Sequence, residues 1–383
     1  METRKLFYED SHVFSFTAEV TSCTAAEGGY HITLNATAFY PEGGGQACDL
    51  GTLGAVRVLD VQEYEGEIRH LCDGALEVGS LVEGRVDGAR RLDLMQQHSG
   101  EHIVSGLICS RFGYHNVGFH VGSDRMEIDF DGPVPSDALA EIEQQANEAV
   151  WKNLPIHCWY PSPEELPHVP YRSKKALEYP VRIVEIPGID SCACCGVHVK
   201  HTGEIGLIKI ISCVKFHQGV RIELCCGGRA LRLIQNIFDQ NKLVSQAFSA
   251  KMLETGAAAV KMNEALAAEK LRANTIQTAL LQQIAKGYEN EGNTVHYEKD
   301  LSGNQLRELT DAIAAVCGGW AAVLGGNGEN LNLCILQPGG DIAPLVCALK
   351  EHFSVRGGGK KGTFQGTVLA KPEQILEFLH SKA

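Results

Sequence analysis

From Leu6 to about Asp87 the chain alternates short β-rich runs with glycine-containing breaks: YHITLNATAFY, AVRVLDVQEY, GEIRHLCDG and SLVEGRVD. Short β-rich runs at this spacing predict a small antiparallel barrel or sandwich. At RRLDLMQQHSGEHIVSGLICSRF the period lengthens. Leu94, His98, Ile103 and Leu107 fall at helical intervals, so a helix opens a second domain there. The pattern continues with a strand (RMEIDF), a helix (SDALAEIEQQANEAVWKN), a proline-rich connector from Pro155 to Pro170, and strands at VRIVEI, EIGLIKIISCVKF and VRIELCC. Residues 229–286 contain no proline and one glycine, Gly256, and Leu231, Ile234, Phe238, Leu266 and Leu271 recur at helical spacing. Two helices broken near ETGAA are expected, followed by an α/β segment carrying AAVLGG, LNLCIL and the terminal helix KPEQILEFLHSKA. The expected fold is therefore α+β and multidomain: an N-terminal β-barrel domain over 1–90, an α+β domain over 91–226, a helical linker or dimerisation segment over 227–288, and a C-terminal α/β domain over 289–383.

Composition fits a folded, water-facing chain, with 44% apolar and 21% charged residues among 383. No run approaches the roughly 20 apolar residues of a membrane span, and the first residues lack the apolar core of a signal peptide, so a cytoplasmic location is expected. Fourteen cysteines without an export signal point to reduced thiols, most of them small buried hydrophobes, and to a metal. The formal net charge of −13 argues against nucleic-acid binding by the whole surface. Lys350, Arg356, Lys360, Lys361, Lys371 and Lys382 make the C-terminus basic, so a polyanion is expected to meet the later part of the chain.

His98 and His102 stand four apart on the predicted helix, so both imidazoles can face one ion. Some ninety residues later SCACCGVHVKHTGEIG places Cys194 and His198 in a C-x-x-x-H spacing after PGID, the arrangement by which a loop supplies two further ligands. Spacing alone leaves Cys192 and Cys195 as competitors for the thiolate, and leaves a closed structural zinc beside a reactive one.

HSGEH paired with CCGVH resembles the HxxxH and CxxxH motifs of the alanyl-tRNA synthetase editing domain and of the free-standing AlaX editing proteins. AFYPEGGGQACDLG, GFHVGSD and HVKHTGEIG resemble further motifs of that family, and the helical segment with RGGGKKGTFQG resembles the C-terminal extension of its long forms, which is related to the DHHA1 domain. Cys195 and Val197 replace the first glycine and the threonine of the usual C-G-G-T-H. The resemblance implies a barrel followed by an editing domain of the threonyl/alanyl-tRNA synthetase type, and a Zn2+ held by His98, His102, Cys194 and His198. It implies a hydrolase acting on tRNA(Ala) mischarged with serine or glycine, with Glu101 and His120 at the pocket. Gly43, Gly44, Gly45 and Gln46 would contact the pocket or the tRNA end; Gly357, Gly358, Gly359, Lys360 and Lys361 would hold phosphates. A homodimer through the helical or C-terminal region follows by analogy only.

Two rivals remain. H-x-x-E-H is also the inverzincin peptidase signature, which would need a downstream carboxylate ligand; Glu141, Glu143 and Glu148 are nominal candidates. The other is a zinc-stabilised tRNA-binding module without catalysis. A full synthetase is not expected, because no segment before residue 90 is long enough for an ATP-dependent activation domain.

Overall fold

A computed structural model describes residues 2–173 and 179–383. Period-two burial dominates its start. Along β1 (Ser15–Ala26) Phe16, Ala18 and Val20 are buried while Ser15, Thr17 and Glu19 are exposed. The same alternation runs through β5 (Glu67–Cys72) and β6 (Leu81–Val86); with β2 (Gly29–Leu34), β3 (Gly51–Leu53) and β4 (Val56–Tyr64) they pair antiparallel in the order β1-β2-β5-β4-β3-β6. β6 returns to β1, so the ring is a closed barrel around Phe16, Val20, Ile32, Phe39, Val61 and Ile68. Closure leaves no unpaired edge.

Helix α1 (Gly88–Phe112) follows, started by the Asp87 carboxylate, which accepts from the Arg90 amide at 3.0 Å, and stopped by Gly113 in the left-handed conformation at φ 72°. It is enclosed rather than amphipathic: Met95, Ile103 and Ile108 are buried together with Gln97, His98, Glu101 and His102. After it come β7 (Asn116–Val121), β8 (Met126–Phe130), α2 (Ser136–Trp151), β9 (His157–Trp159), β10 (Ile183–Ile186), β11 (Asp190–Ala193), β12 (Ile208–Phe216) and β13 (Gly219–Cys226). These strands form a four-stranded antiparallel sheet, β12-β13-β8-β7, and a three-stranded one, β9-β10-β11. Packing of α1 against α2, β7, β11 and β13 sets the helix between the two sheets.

The barrel is tied to α1 by a fully buried ion pair. Arg91 Nε donates to Asp49 Oδ1 at 2.9 Å, and the guanidinium also donates to the carbonyls of Ser11 and Ala38. Asp49 Oδ2 in turn accepts from the Tyr40 amide. The segment Tyr40–Asp49, which holds the triple glycine, is thereby fixed against the helix bearing the histidine pair.

One sequence expectation shifts. The run from Glu204 is not strand at first: Thr202–Ile205 form a 3-10 turn, because the Glu204 carboxylate accepts from the Lys200 and His201 amides, and Gly206 at φ 80° redirects the chain before β12 begins. The helical break expected near ETGAA spans 249–254, on the N-terminal side of that run and reaching its Glu254. α3 (Gly227–Phe248) ends where Ser249 turns left-handed at φ 50°, and Gly256 lies in the first turn of α4 (Thr255–Lys286).

The chain divides into two compact units, Met1–Leu243 and Val244–Ala383. The second unit contains α4, β14 (Gly292–Glu298), α5 (Gly303–Cys317), β15 (Gly318–Gly325), β16 (Asn330–Leu336), α6 (Ala343–His352), β17 (Ser354–Gly358), β18 (Thr363–Leu369) and α7 (Pro372–His380). Its mixed sheet runs β14-β15-β16-β18-β17, with β14 and β15 parallel. No helix among the described residues is long and apolar enough to cross a membrane.

Candidate metal centre

One turn of α1 presents His98 and His102, and the loop after β11 presents Cys194 and His198. A ligand-type atom from each of these four residues lies within 4.8 Å of every other. Cys194 Sγ is 3.4 Å from His98 Nε2 and 3.5 Å from His198 Nε2. A tetrahedral zinc with Zn–N near 2.0–2.1 Å and Zn–S near 2.3 Å sets its ligand atoms about 3.3–3.6 Å apart. The donor set and its spacing therefore fit that ion, with Cys194 rather than Cys192 or Cys195 in the thiolate position. Cys192 instead clusters with His102 and Asp190, and the Cys195 carbonyl accepts from Tyr8.

Each imidazole is oriented by its other nitrogen. His98 Nδ1 is 2.8 Å from Gln46 Oε1, His102 Nδ1 is 2.8 Å from Asp190 Oδ2, and His198 Nδ1 is 3.1 Å from Ser99 Oγ. Gln46 Oε1 and Asp190 accept only, so Nδ1 carries the proton and Nε2 keeps its lone pair toward the centre. Asp190 is itself held by Arg172, at 2.6 and 2.9 Å.

Proton affinities mark the same point as a cation site. Burial opposes ionisation of Cys194, but His98, His102 and His198 outweigh it and hold the thiol well below its ordinary value. Burial likewise opposes the His102 imidazolium, yet the Asp190 hydrogen bond and the Cys194 sulfur raise it to about 10. His198, desolvated and beside two other imidazoles, is pushed down to about 3. A cation arriving here displaces a proton.

The centre opens on a cavity of about 480 Å³ walled by Gly44, Gly45, Glu101, Phe119, Arg172 and Cys195 among others. Glu101, 2% exposed, accepts from Ser105 Oγ at 2.7 Å and from Asn116, and its Oε2 lies 3.8 Å from His102 Nε2. Gly43–Gln46 form a tight turn closed by Gly43–Gln46 backbone hydrogen bonds of 2.9 and 3.1 Å, with Gly44 and Gly45 at φ 59° and 82°. A Cβ on Gly45 would stand 2.6 Å from the Phe119 ring, so the turn reaches the cavity only as glycine.

The family models match here. The threonyl and alanyl tRNA synthetase second additional domain covers residues 181–223, which include Cys194 and His198, and the class II (A) tRNA synthetase model covers residues 2–90, the barrel. The alanyl-tRNA editing protein Aarsd1 of Mus musculus is 29% identical over 94% of this chain and 93% of its own length. That of Xenopus laevis is 27% identical over 93% and 92%. The alanine–tRNA ligase of Ignicoccus hospitalis is 29% identical over the whole chain, which spans 43% of that ligase. Over nearly its whole length the chain is thus similar to alanyl-tRNA editing proteins of the AlaX type.

Against this editing family's motifs, one candidate is misplaced. His120 is exposed and lines a separate shallow cleft with Arg125, Glu127 and Glu223, not the cavity. Strand alternation is the cause: on β7, Val117 and Phe119 face the cavity, and Phe119 lies 5.0 Å from the His98 ring, centroid to centroid. The departure from C-G-G-T-H is accommodated. Gly196, which remains, is the position a Cβ would ruin, at 2.1 Å from His98 Cε1, whereas Cys195 is exposed and Val197 is buried in the core. The carboxylates of the peptidase reading are engaged elsewhere: Glu141 with Arg111, Glu143 with Lys209, Glu148 with Gln144. Asp190, Ser99 and Arg172 were not legible as site residues. Asp190 stands in PGID just ahead of the cysteines, a signal that was present; Arg172 lies 18 residues upstream of it, with none.

In the second unit Gly357–Gly359 end β17 and turn into β18. A Cβ on Gly357 would meet Gln365 O at 2.4 Å and one on Gly359 Thr363 O at 1.9 Å, so close backbone approach demands these glycines. Lys360 and Lys361 line a cleft of about 290 Å³ there with Lys350.

Proposed function

We propose that the chain is a trans-editing aminoacyl-tRNA deacylase, an ester hydrolase that removes serine, or glycine, from mischarged tRNA(Ala) at a zinc centre. The observation that carries this is the convergence of His98, His102, Cys194 and His198 beside a cavity whose wall includes a buried carboxylate, Glu101. Zinc, when bound, would supply Lewis acidity toward a carbonyl or a water at a position opened by displacement of one of its four protein ligands. Glu101 takes a proton from the attacking water and returns it to the ribose oxygen as the ester C–O bond breaks, leaving free amino acid and tRNA. Ser105 and Asn116 hold Glu101 in place for this exchange. Asp190 and Gln46 keep two imidazoles in the required tautomer.

Serine is larger than alanine, so exclusion by size cannot admit one and refuse the other. Polar cavity groups placed to bind the serine hydroxyl are left unpaired when alanine enters, and that penalty discriminates. The Gly43–Gln46 turn receives the terminal nucleotide, Gly357–Lys361 hold backbone phosphate, and exposed Leu266, Leu271 and Ile276 of α4 pair two copies into a homodimer. Hydrolysis of Ser-tRNA(Ala), Gly-tRNA(Ala) and Ala-tRNA(Ala) without ATP, beside an unfolded protein substrate, tests the reading. Turnover of the mischarged tRNAs alone is expected; peptide cleavage, or tRNA binding without turnover, refutes it.

A further inference from the structure

Within the first unit, the first turns of α3 line a cleft of about 210 Å³ together with Arg125, Ile211 of β12 and Cys225 of β13, and the cleft gathers Arg125, Arg229 and Arg232. This is unusual on a chain of net charge −13. Arg229 is 7% exposed and fixed by Asp93 and by the carbonyl of Gly122. Arg125 shares Glu223 at 3.2 Å and is half exposed. Arg232 is exposed and, among the described residues, makes no hydrogen bond or ion pair. Two of the three guanidinia are thus partly compensated and the third is not; Asp124 is the acid on the rim. The buried Cys225 thiol on the floor reports the local field. Burial raises it, while every charge acting on it is a cation: Arg229, Arg125, Lys209 and Arg232.

We propose that this cleft binds a backbone phosphodiester of the RNA whose 3′ end occupies the cavity, an inference that rests on the tRNA reading above. Its placement suits that role. Asp93, the partner of Arg229, precedes His98 on α1 by five residues, about 7–8 Å along the helix axis. Gly122, its other partner, follows Phe119 by three residues, about 10 Å along β7. Arg229 acts as the rigid floor, and Arg125 and Arg232 close on the phosphate with planar, forked donors.

The test measures affinity of the full chain for uncharged tRNA(Ala) at several salt concentrations, together with deacylation of mischarged tRNA. Arg232→Ala is expected to weaken binding about tenfold and to flatten the dependence of log affinity on log salt by about 0.7–0.9, with kcat unchanged and KM raised. Asp124→Asn, which removes the rim acid, is expected to tighten binding. An Arg232→Ala protein with wild-type affinity and salt slope, while the wild type deacylates normally, overturns the cleft alone. Failure of the wild type to bind or deacylate tRNA removes the tRNA reading and this inference with it. Arg232-dependent binding of inorganic phosphate, with tRNA affinity indifferent to Arg232, overturns the assignment to RNA.

Discussion

Gly196→Ala isolates the metal centre from the rest of the fold. A Cβ at this position would stand 2.1 Å from His98 Cε1, 2.3 Å from His98 Nδ1 and 3.2 Å from Gln46 Oε1. Ordinary carbon contacts begin near 3.5 Å, so the imidazole must retreat by more than about 1 Å. That movement breaks the 2.8 Å bond to Gln46 and carries Nε2 away from its 3.4 Å approach to Cys194. Metal sites tolerate ligand displacements of about 0.2 Å, and loss of an orienting partner alone costs about 10–100-fold in affinity. Displacing the ligand as well is expected to lower zinc affinity by at least about 100-fold. Competition with a chromophoric chelator reads the affinity, and circular dichroism checks that the fold survives. Gly43→Ala is the control, since its Cβ meets only Tyr40 Oη, at 3.4 Å. A Gly196→Ala protein that binds zinc like the wild type would refute the four-ligand arrangement.

Replacing Glu101 by Gln is expected to lower kcat about 10²–10⁴-fold with zinc content and tRNA affinity retained; parallel losses in all three would mean that Glu101 is structural. Asp49→Ala strands the buried Arg91 guanidinium and is expected to cost about 3–5 kcal/mol, seen as a lower urea midpoint for the first unit, and a midpoint unchanged by the substitution would remove the pair from the account. His70 gives a pH dependence. It is fully buried in the barrel, bonded to Thr37 and Ile32 O, and burial lowers it from 6.5 to about 4. Above pH 6.5 it is neutral in both folded and unfolded chains, so the barrel keeps its full stability there. Between 6.5 and 4 only the unfolded chain takes up the proton, so stability falls with acidity by roughly 3 kcal/mol in all. Amide exchange of barrel strands from pH 7 to 4 should show this loss, and His70→Asn should flatten it; identical slopes would exclude His70 as the cause.

Local rules carried much of this molecule. Burial of alternate residues on β1 and β6, the Asp87 start and Gly113 stop of α1, and the i, i+4 placement of His98 and His102 depend on near neighbours in the chain, so the sequence by itself determined them. Where a local competitor existed, the reading slipped: the Glu204 cap replaced the first turn of an expected strand, and one step of β7 alternation turned His120 away from the cavity. Choosing Cys194 over its two neighbouring cysteines, engaging Gln46, Asp190 and Ser99 as orienting partners, and bringing Arg125, Arg229 and Arg232 to one cleft all depend on contacts between distant segments. Only the tertiary structure decided these. Spacing along a chain fixes which side chains share a helix or strand face, whereas the direction in which a loop delivers a sulfur or a carboxylate is set by the packing of the elements on either side.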